Sequence, residues 1–474
     1  MCGILGGYDI VDINKGLDAI NHRGRDARDV KNISRISFGH VRLSIMDTSS
    51  ASNQPMTVGD TTIIFNGAIW NYEQIRDYLI KKYNISFTTG GDTEVFAHLL
   101  DREDLSGLSR VQGMFAVAWT KGSDDITIAR DRFGEVPLHY SLLETSLFPH
   151  FIFCSEIKGL RSLDIDYSTI QMLRPGSYIK VTNPDDMCVK KGVWYNLKQN
   201  IKVNTFSNRT SASKHIKSLV EKGSVERTVS AVPVCTLLSG GVDSSVISLA
   251  VMQNIPNLVS YIAVHNEKSK DLKCAREVAE MLNIDLIEVK VEPPTVDDVK
   301  DIVNTIEMNY KAQIEIAWPC IKLAQRVASD GFKVVLSGEG SDELWASYGM
   351  SYHGIQEHGF GEYRLRLFGS QERKNFARCN KIFMKYGVEC RLPFLNTELV
   401  ETALGMEQDI VWDTKTRPKA VLQDGYTNLL PDKIIKRPKM AFQDGMGIKD
   451  KFIKILDKNP KIYYNEIYNK IFGV

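Results

Sequence analysis

The second residue of the chain, Cys2, combines a thiol with the potential for a free α-amine. Removal of Met1, which the small Cys2 side chain permits, would place both groups on one residue. An α-amine has an ordinary pKa near ~8, so it can accept the proton that the thiol gives up on attack. Cys2 is therefore a candidate N-terminal nucleophile; the alternative is one more buried, small apolar residue.

Four further residues could form a binding site for an amino acid around this nucleophile. The segment 64–67 is expected to be a strand that ends in an Asn-Gly turn. There the Asn66 amide and the Gly67 N–H could both stabilise a developing oxyanion. Arg42 and Asp92 could hold the carboxylate and the amine of a substrate. Each of the two charged residues, taken alone, could equally form a surface ion pair.

A second candidate site is the glycine loop Ser239-Gly240-Gly241-Val242-Asp243-Ser244-Ser245, which follows a continuous apolar segment. A loop of this kind between a strand and a helix directs backbone N–H groups and serine hydroxyls at a phosphate. It lacks the lysine of the G-x-x-x-x-G-K-S/T loop, so transfer of a γ-phosphoryl group is not implied. The pattern is typical of enzymes that split ATP into AMP and pyrophosphate; the alternative is simple turn chemistry.

Another glycine-rich turn, residues 337–343, follows a second apolar strand. Asp243 and Asp342 would each follow the carboxyl end of a strand, the edge at which α/β sheets bind ligands. Two carboxylates there could hold Mg²⁺ against phosphates, unless one of them only caps its helix. Glu339 is a candidate acid or base. Lys439 is a candidate cation for the leaving phosphate, with a solvated surface position as the alternative.

The elements that must position these residues differ between the two halves of the chain. Up to about residue 195, short alternating segments and two helical patterns predict a strand-rich α+β domain of two packed sheets with flanking helices. The polar stretch from Asn196 to Ser213 is the expected linker. After it, helices and strands alternate, among them a helix expected at 243–252 and a strand expected at 258–264. This alternation predicts βαβ units and a parallel sheet.

Composition limits the function classes. The 474 residues are 43% apolar and 25% charged, which excludes disordered, collagenous and small disulfide-rich classes. Lys and Arg number 59 against 58 Asp and Glu, a net charge of +1, so no global charge attracts nucleic acid or an acidic membrane. The sequence has no run of 18 apolar residues and no signal-peptide pattern, so a cytoplasmic protein is the default expectation. The eight cysteines form no C-x-x-C pair, so we expect neither structural zinc nor a disulfide framework.

In their order along the chain, these motifs resemble the glutamine-hydrolysing asparagine synthetase family. The resemblance covers nearly the whole length. The segments that carry it include Met1-Cys2-Gly3-Ile4, His22-Arg23-Gly24, Arg42-Leu43-Ser44-Ile45, Asn66-Gly67, Arg130-Asp131-Arg132-Phe133-Gly134, Ser155-Glu156-Ile157-Lys158, 239–245, 337–343 and Gly387-Val388-Glu389. It implies an αββα N-terminal nucleophile domain at 1–195, a class II glutamine amidotransferase. An α/β parallel-sheet ATP-pyrophosphatase domain would follow at 205–474.

The resemblance also implies a reaction in two steps, with the two sites joined by an internal channel. In the first step Cys2 would attack the side-chain amide of glutamine and release ammonia, with Asn66 and Gly67 at the oxyanion. Arg42, Asn66 and Asp92 would bind glutamine. In the second step ATP and aspartate would give an acyl-adenylate and pyrophosphate, and ammonia would then displace AMP.

The same resemblance implies ATP as a substrate and Mg²⁺ as a cofactor in the second domain. Mg²⁺ would be held by Asp243 and Asp342. Glu339 and Lys439 would act on the reacting groups. The residues implied to bind ATP are Leu237, Ser239, Gly240, Gly241, Asp243, Ser244, Val264, Ser337 and Gly338.

Two departures from the family pattern bear on the substrates. Family members commonly have Asn-Gly-Glu where this chain has Asn66-Gly67-Ala68, and that glutamate helps bind glutamine. Aspartate-specific members carry Thr-Thr-x-Arg where this chain has Ala312-Gln313-Ile314-Glu315, and an anion in place of a cation disfavours a dicarboxylate.

Aspartate is the leading acceptor, and another small carboxylate metabolite, amidated by the same mechanism, is the alternative. A non-catalytic relative that kept the fold is the contrasting class. The expected partners are small molecules, with no nucleic acid and no membrane, and a homodimer is compatible with the pattern.

Overall fold

A computed structural model of the chain describes residues 1–122, 124–144, 150–182, 187–203, 206–369, 374–414, 417–437, 452 and 459–474. Antiparallel sheets make up the N-terminal domain, and a parallel sheet makes up the C-terminal domain. Within those ranges no helix is long and apolar enough to cross a membrane.

The N-terminal domain is built on two antiparallel sheets. Its strands are β1 (Gly3–Tyr8), β2 (Ala27–Ile33), β3 (Ile36–Arg42), β4 (Met56–Val58), β5 (Thr61–Ile69), β6 (Gly113–Lys121), β7 (Asp125–Arg130), β8 (His139–Leu143), β9 (His150–Cys154), β10 (Ile170–Met172), β11 (Ser177–Thr182) and β12 (Cys188–Val193). In the part of the chain described, the first sheet has the order β10-β8-β9-β1-β3-β2 and the second β12-β11-β7-β6-β5-β4.

Helices cover the outer faces of both sheets. They are α1 (Ile13–Ile20), α2 (Tyr72–Tyr83), α3 (Asp92–Glu103) and α4 (Ile157–Arg161). Apolar residues of α1 and α4 pack on β1, β3 and β9 of the first sheet. Those of α2 and α3 pack on β5 and β6 of the second sheet. The four layers confirm the expected αββα sandwich.

The C-terminal domain is an α/β domain around one parallel sheet, as expected. Its strands are β13 (Val234–Leu237), β14 (Val259–Val264), β15 (Asp285–Lys290), β16 (Val334–Leu336) and β17 (Glu389–Arg391), in the order β15-β14-β13-β16-β17. The helices described from residue 197 onward are α5 (Leu197–Asn200), α6 (Arg209–Glu226), α7 (Val242–Met252), α8 (Lys270–Leu282), α9 (Val296–Ile306), α10 (Lys311–Ser329), α11 (Ser341–Trp345), α12 (Ser351–His358), α13 (Phe360–Gly369), α14 (Lys374–Met384), α15 (Thr397–Leu404), α16 (Gln408–Val411), α17 (Ala420–Gly425), α18 (Asp432–Ile435) and α19 (Pro460–Phe472).

The order of this sheet places two loops side by side. β13 and β16 are adjacent parallel strands, with Val234 opposite Val334 and Thr236 opposite Leu336. Their carboxyl ends therefore lie at the same edge, and the segments 239–241 and 337–340 both leave the sheet there. The two glycine loops, about a hundred residues apart in sequence, become neighbours.

Two local expectations differ from the structure. Asn66 and Gly67 do not end a strand in a turn, because β5 continues to Ile69 and pairs through them with Ala116 and Phe115 of β6. The end of the expected linker is helical, since α6 begins at Arg209. The Asn208 side chain caps α6 by accepting a hydrogen bond from the Ser211 N–H.

The pairing of β5 with β6 predicts that Gly67→Ala destabilises the N-terminal domain. A Cβ at Gly67 would lie 2.0 Å from the Met114 carbonyl oxygen, so the two strands must separate. We expect a loss of about 1–3 kcal/mol in the free energy of unfolding, measured by urea denaturation. Gly361→Ala in α13 is the control, because a Cβ there meets nothing within 4 Å. A Gly67→Ala protein as stable as the control would contradict this account of the register.

Candidate active sites

A cleft opens beside the N-terminus. It is lined by Cys2, by Arg42 and Asp92, which were predicted to bind the substrate, and by Gly67, which was predicted at the oxyanion. Asp47 and Gln54 also line it. The residues before β1, the end of β3, strand β5 and the start of α3 each contribute to it. The structure therefore brings the candidate nucleophile, one arginine and two carboxylates into one cleft.

Cys2 is held on three sides. Its N–H donates to the Asn66 side-chain oxygen at 2.9 Å, and its carbonyl accepts from the Arg23 Nε at 2.9 Å. Its thiol lies 3.9 Å from the Leu43 carbonyl oxygen. Burial raises the pKa of the Cys2 thiol, so the thiol needs a nearby base to become a nucleophile.

The N-terminus meets the C-terminal domain directly. The Met1 α-ammonium donates to the Glu389 carboxylate at 2.5 Å, and the Asn380 side-chain amide lies 3.0 Å from the Met1 sulfur. The site of Cys2 therefore lies at the boundary between the two domains.

The Arg42 side chain is oriented by three hydrogen bonds. Its guanidinium donates to the carbonyl oxygens of Asp47 and Ser49 and to the side-chain oxygen of Asn53, at 2.6–2.7 Å. These acceptors are all neutral. Arg42 is thereby oriented at the end of β3 with its positive charge available to an anion such as a carboxylate.

The loop that orients Arg42 is itself fixed by Asp47. Although burial opposes ionisation, hydrogen bonds from Ser49, Ser52 and Gly90 hold the pKa of Asp47 at about 2. Sequence reasoning did not identify Asp47. The sequence feature that could have identified Asp47 is its position five residues after Arg42.

Asp92 is a buried carboxylate at the first turn of α3. It is 4% exposed, and its side chain accepts from the Ile69 N–H at 3.0 Å. Burial raises its pKa to about 7. An ammonium group brought into the cleft would favour the ionised form. Ala68, at the position of the family's glutamate, is buried in the apolar core.

In the C-terminal domain, Asp243 and Asp342 meet at one lysine. Lys419 Nζ lies 2.5 Å from the Asp243 carboxylate and 2.7 Å from that of Asp342, and Lys419 is 3% exposed. The Ser341 hydroxyl donates to Asp243 at 2.7 Å. The two aspartates therefore lie at one cation, the Lys419 ammonium; that they hold Mg²⁺ stays a prediction. Sequence reasoning missed Lys419, because no motif spacing ties it to the glycine loops.

The first glycine loop is arranged by its serines and by a close helix contact. The Ser239 N–H donates to the Ser244 hydroxyl at 3.0 Å. Gly240 has φ +72°, and a Cβ there would lie 2.5 Å from the Asp271 carbonyl oxygen of α8, so only glycine fits. Gly241 precedes the first residue of α7. Four other positions predicted to bind ATP lie at the same edge of the sheet: Leu237 and Val264 end β13 and β14, and Ser337 and Gly338 follow β16.

Glu339 belongs to a ring of hydrogen bonds that the sequence did not reveal. The Arg378 guanidinium donates to Glu339 and, at 2.6 Å, to the Gln313 side-chain oxygen. The Gln313 amide donates to Asn375 at 2.7 Å, and the Asn375 amide donates to Glu343 at 2.8 Å. Three elements, α10, α11 and α14, thus meet around Glu339.

Lys439 falls outside the described residues. Glu315 is 2% exposed and lies beside Lys311, with 3.7 Å between its carboxylate and the Lys311 Nζ. Burial raises the pKa of Tyr464 of α19, and the charge of Glu315 raises that pKa further. Of the chain's departures from the family pattern, Gln313 is the one that joins the ring around Glu339.

Comparisons with known proteins agree with this division of the chain. The model of the glutamine amidotransferase domain family matches residues 1–193, and that of the asparagine synthase family matches 215–378 and 356–459, just over half of the chain. A probable glutamine-hydrolysing asparagine synthetase of Acanthamoeba polyphaga mimivirus is 28% identical over 95% of this chain and 86% of its own length. Asparagine synthetase B of Escherichia coli is 28% identical over 94% of this chain and 83% of its own length. The chain belongs to the glutamine-hydrolysing asparagine synthetase family.

Proposed function

We propose that the chain hydrolyses glutamine at Cys2 and uses the ammonia to amidate a carboxylate, aspartate in the first instance, that ATP has activated. The observation that carries the proposal is the cleft in which Cys2 lies with Arg42 and Asp92. Arg42 would bind the α-carboxylate of glutamine and Asp92 its α-ammonium, which leaves the side-chain amide for the thiol. Only an amino acid with a reactive side chain uses all three groups.

In the first step the Cys2 thiol attacks the amide carbon of glutamine, and the α-amine freed by removal of Met1 takes the thiol proton. Asn66 and Gly67 stabilise the oxyanion of the tetrahedral intermediate. Collapse of the intermediate expels ammonia and leaves a thioester, which water hydrolyses to glutamate. The position of Cys2 at the domain boundary, where Arg23 bonds both the Cys2 carbonyl and the Asn380 side chain, supports direct transfer of ammonia into the C-terminal domain.

In the second step the glycine loops bind the phosphates of ATP beside Asp243 and Asp342. The acceptor carboxylate attacks the α-phosphorus, pyrophosphate leaves, and ammonia then displaces AMP from the acyl-adenylate. Lys419 lies where it would offset negative charge on the phosphates. Glu339, which is paired with Arg378, would take the proton that ammonia gives up.

Mg²⁺ fits the residues present at this site. Asp243 and Asp342 supply hard oxygen donors that already converge on the charge of Lys419. Mg²⁺ in nucleotide sites takes one or two carboxylates and completes its shell with phosphate oxygens and water. When bound, it would neutralise charge on the phosphates.

A second candidate has the same chemistry with a different acceptor. Gln313 occupies one arm of the Arg378 guanidinium at 2.6 Å, and Glu339 occupies the other. Arg378 thus has fewer free donors for the second carboxylate of aspartate. This arrangement favours an acceptor whose far end is neutral or cationic.

The division of labour predicts that Cys2→Ala separates the two half-reactions. Without the thiol, glutamine-dependent pyrophosphate release falls by at least ~1,000-fold, whereas ammonium-dependent release is unchanged. Pyrophosphate is measured with ATP, Mg²⁺, aspartate and either nitrogen source. Cys188→Ala, at an exposed cysteine, is the matched control and should retain both activities. Loss of both in Cys2→Ala would contradict the proposal.

The raised pKa of Asp92 predicts that glutamine affinity increases with pH. Because only the ionised carboxylate attracts the α-ammonium, affinity rises about tenfold between pH 6 and pH 8 for a pKa of about 7. Calorimetry on Cys2→Ala protein measures binding without hydrolysis. In the double variant with Asp92→Asn the affinity is lower and no longer changes over this range. An unchanged pH dependence in the double variant would assign the titration to another group.

The acceptor is identified by an ammonium-dependent screen scored by pyrophosphate release. We expect release with aspartate. Release with a neutral or cationic carboxylate, and none with aspartate, would replace aspartate by the second candidate. The absence of release with every acceptor, together with the absence of glutaminase activity, would favour a non-catalytic relative.

A further inference from the structure

One arginine at the domain boundary uses all three edges of its guanidinium. Arg23, which is fully buried, donates through Nε to the Cys2 carbonyl at 2.9 Å. Through one terminal nitrogen it donates to Glu156 of its own domain at 2.6 Å. Through the other it donates to the Asn380 side-chain oxygen of the C-terminal domain at 2.8 Å. Since the guanidinium is planar and rigid, any two of these contacts determine the direction of the third.

The partner in the C-terminal domain is well fixed. Asn380 is 3% exposed and lies in the middle of α14. The next residue, Lys381, pairs with Glu307 at 2.6 Å, and Glu307 in turn accepts from the N–H groups of Ile157 and Lys158 at the start of α4. Two successive residues of α14 are thus linked to the N-terminal domain, Asn380 directly through Arg23 and Lys381 through Glu307.

The same helix reaches the second site. Two residues before Asn380, Arg378 is paired with Glu339 in the loop after β16. One rigid helix therefore touches the group that holds the Cys2 backbone and the candidate acid or base of the C-terminal domain.

We infer that Asn380 is a positioning residue for the glutaminase: across the domain boundary it orients Arg23, and through Arg23 it sets the place of the Cys2 backbone. It touches neither substrate nor the reacting atoms in this role. Its loss should lower the rate of the chemical step more than the affinity for glutamine, because Arg42 and Asp92 stay in place. A displacement of the nucleophile by about 1 Å is enough to reduce such a rate 10–100-fold.

The test, which rests on the proposed function, compares Asn380→Leu with Asn380→Asp. Leucine has a similar volume but cannot accept from Arg23, whereas aspartate keeps an acceptor oxygen. For Asn380→Leu we expect kcat for glutamine hydrolysis to fall about tenfold or more, with little change in KM. Asn380→Asp should retain most of kcat. Ammonium-dependent pyrophosphate release should be unchanged in both, which also shows that the protein has folded.

The control is Tyr195→Phe, which removes a hydrogen bond of 3.0 Å between the domains to Glu401 of α15 instead of α14. It should leave glutaminase kcat unchanged. Unaltered kcat in Asn380→Leu, a rise in KM alone, or equal loss of glutamine- and ammonium-dependent activity would each overturn the inference. A wild-type protein without glutaminase activity would instead refute the proposed function.

Discussion

Two buried carboxylates, Glu156 and Glu307, determine how the domains of this chain fit together. Arg23 pairs with Glu156, and Lys381 with Glu307, both at 2.6 Å. Lys158 lies between the two carboxylates, 2.6 Å from one and 3.6 Å from the other. Although burial opposes ionisation, these cations hold the pKa of both carboxyl groups below its ordinary range. Separating the domains would break the Lys158–Glu307 contact and the hydrogen bonds that Glu307 accepts from the Ile157 and Lys158 N–H groups, and would leave the Glu307 carboxylate without these partners.

The contacts that cross the domain boundary, Lys158 with Glu307 and Arg23 with Asn380, explain how the two candidate sites are held in a fixed relative position. Cys2 is anchored to Arg23 by its carbonyl, and Glu339 is anchored to Arg378, so both sites are tied to charges on or beside α14. Within the C-terminal domain, the pairing of β13 with β16 brings the two glycine loops together. Backbone pairing thus brings distant loops together, and buried charges bring the domains together.

The sequence predicted the elements with strong periodicity well. The helix expected at 243–252 is α7 (Val242–Met252), and the strand expected at 258–264 is β14 (Val259–Val264). Continuous apolar runs and caps carry that information locally. Asn66-Gly67 was wrongly expected to be a turn, because the pairing of β5 with β6, set by residues fifty positions away, overrides the turn preference of the dipeptide.

The polar network around the sites was beyond sequence reasoning for a related reason. Lys419, Gln313 and Asn375 occur in no spacing pattern, and their roles follow from burial and from partners that only the fold supplies. Arg23 and Glu156 belong to motifs that carry the family resemblance, but nothing in a single sequence indicates that they pair with each other. Motifs could identify the groups that face substrates; the groups that hold them required the structure.

Charge balance at the phosphate-binding edge explains why a lysine lies between two aspartates that are also suited to a divalent cation. In the structure Lys419 compensates Asp243 and Asp342 within 2.5–2.7 Å, so the buried pair is stable without a nucleotide. The phosphates of ATP would bring several negative charges to the same place. The lysine would then compensate phosphate as well as carboxylate, and the aspartates could accept a divalent cation. On the proposed function, such a site would become suited to the metal together with its nucleotide, and electrostatics would couple the two binding events.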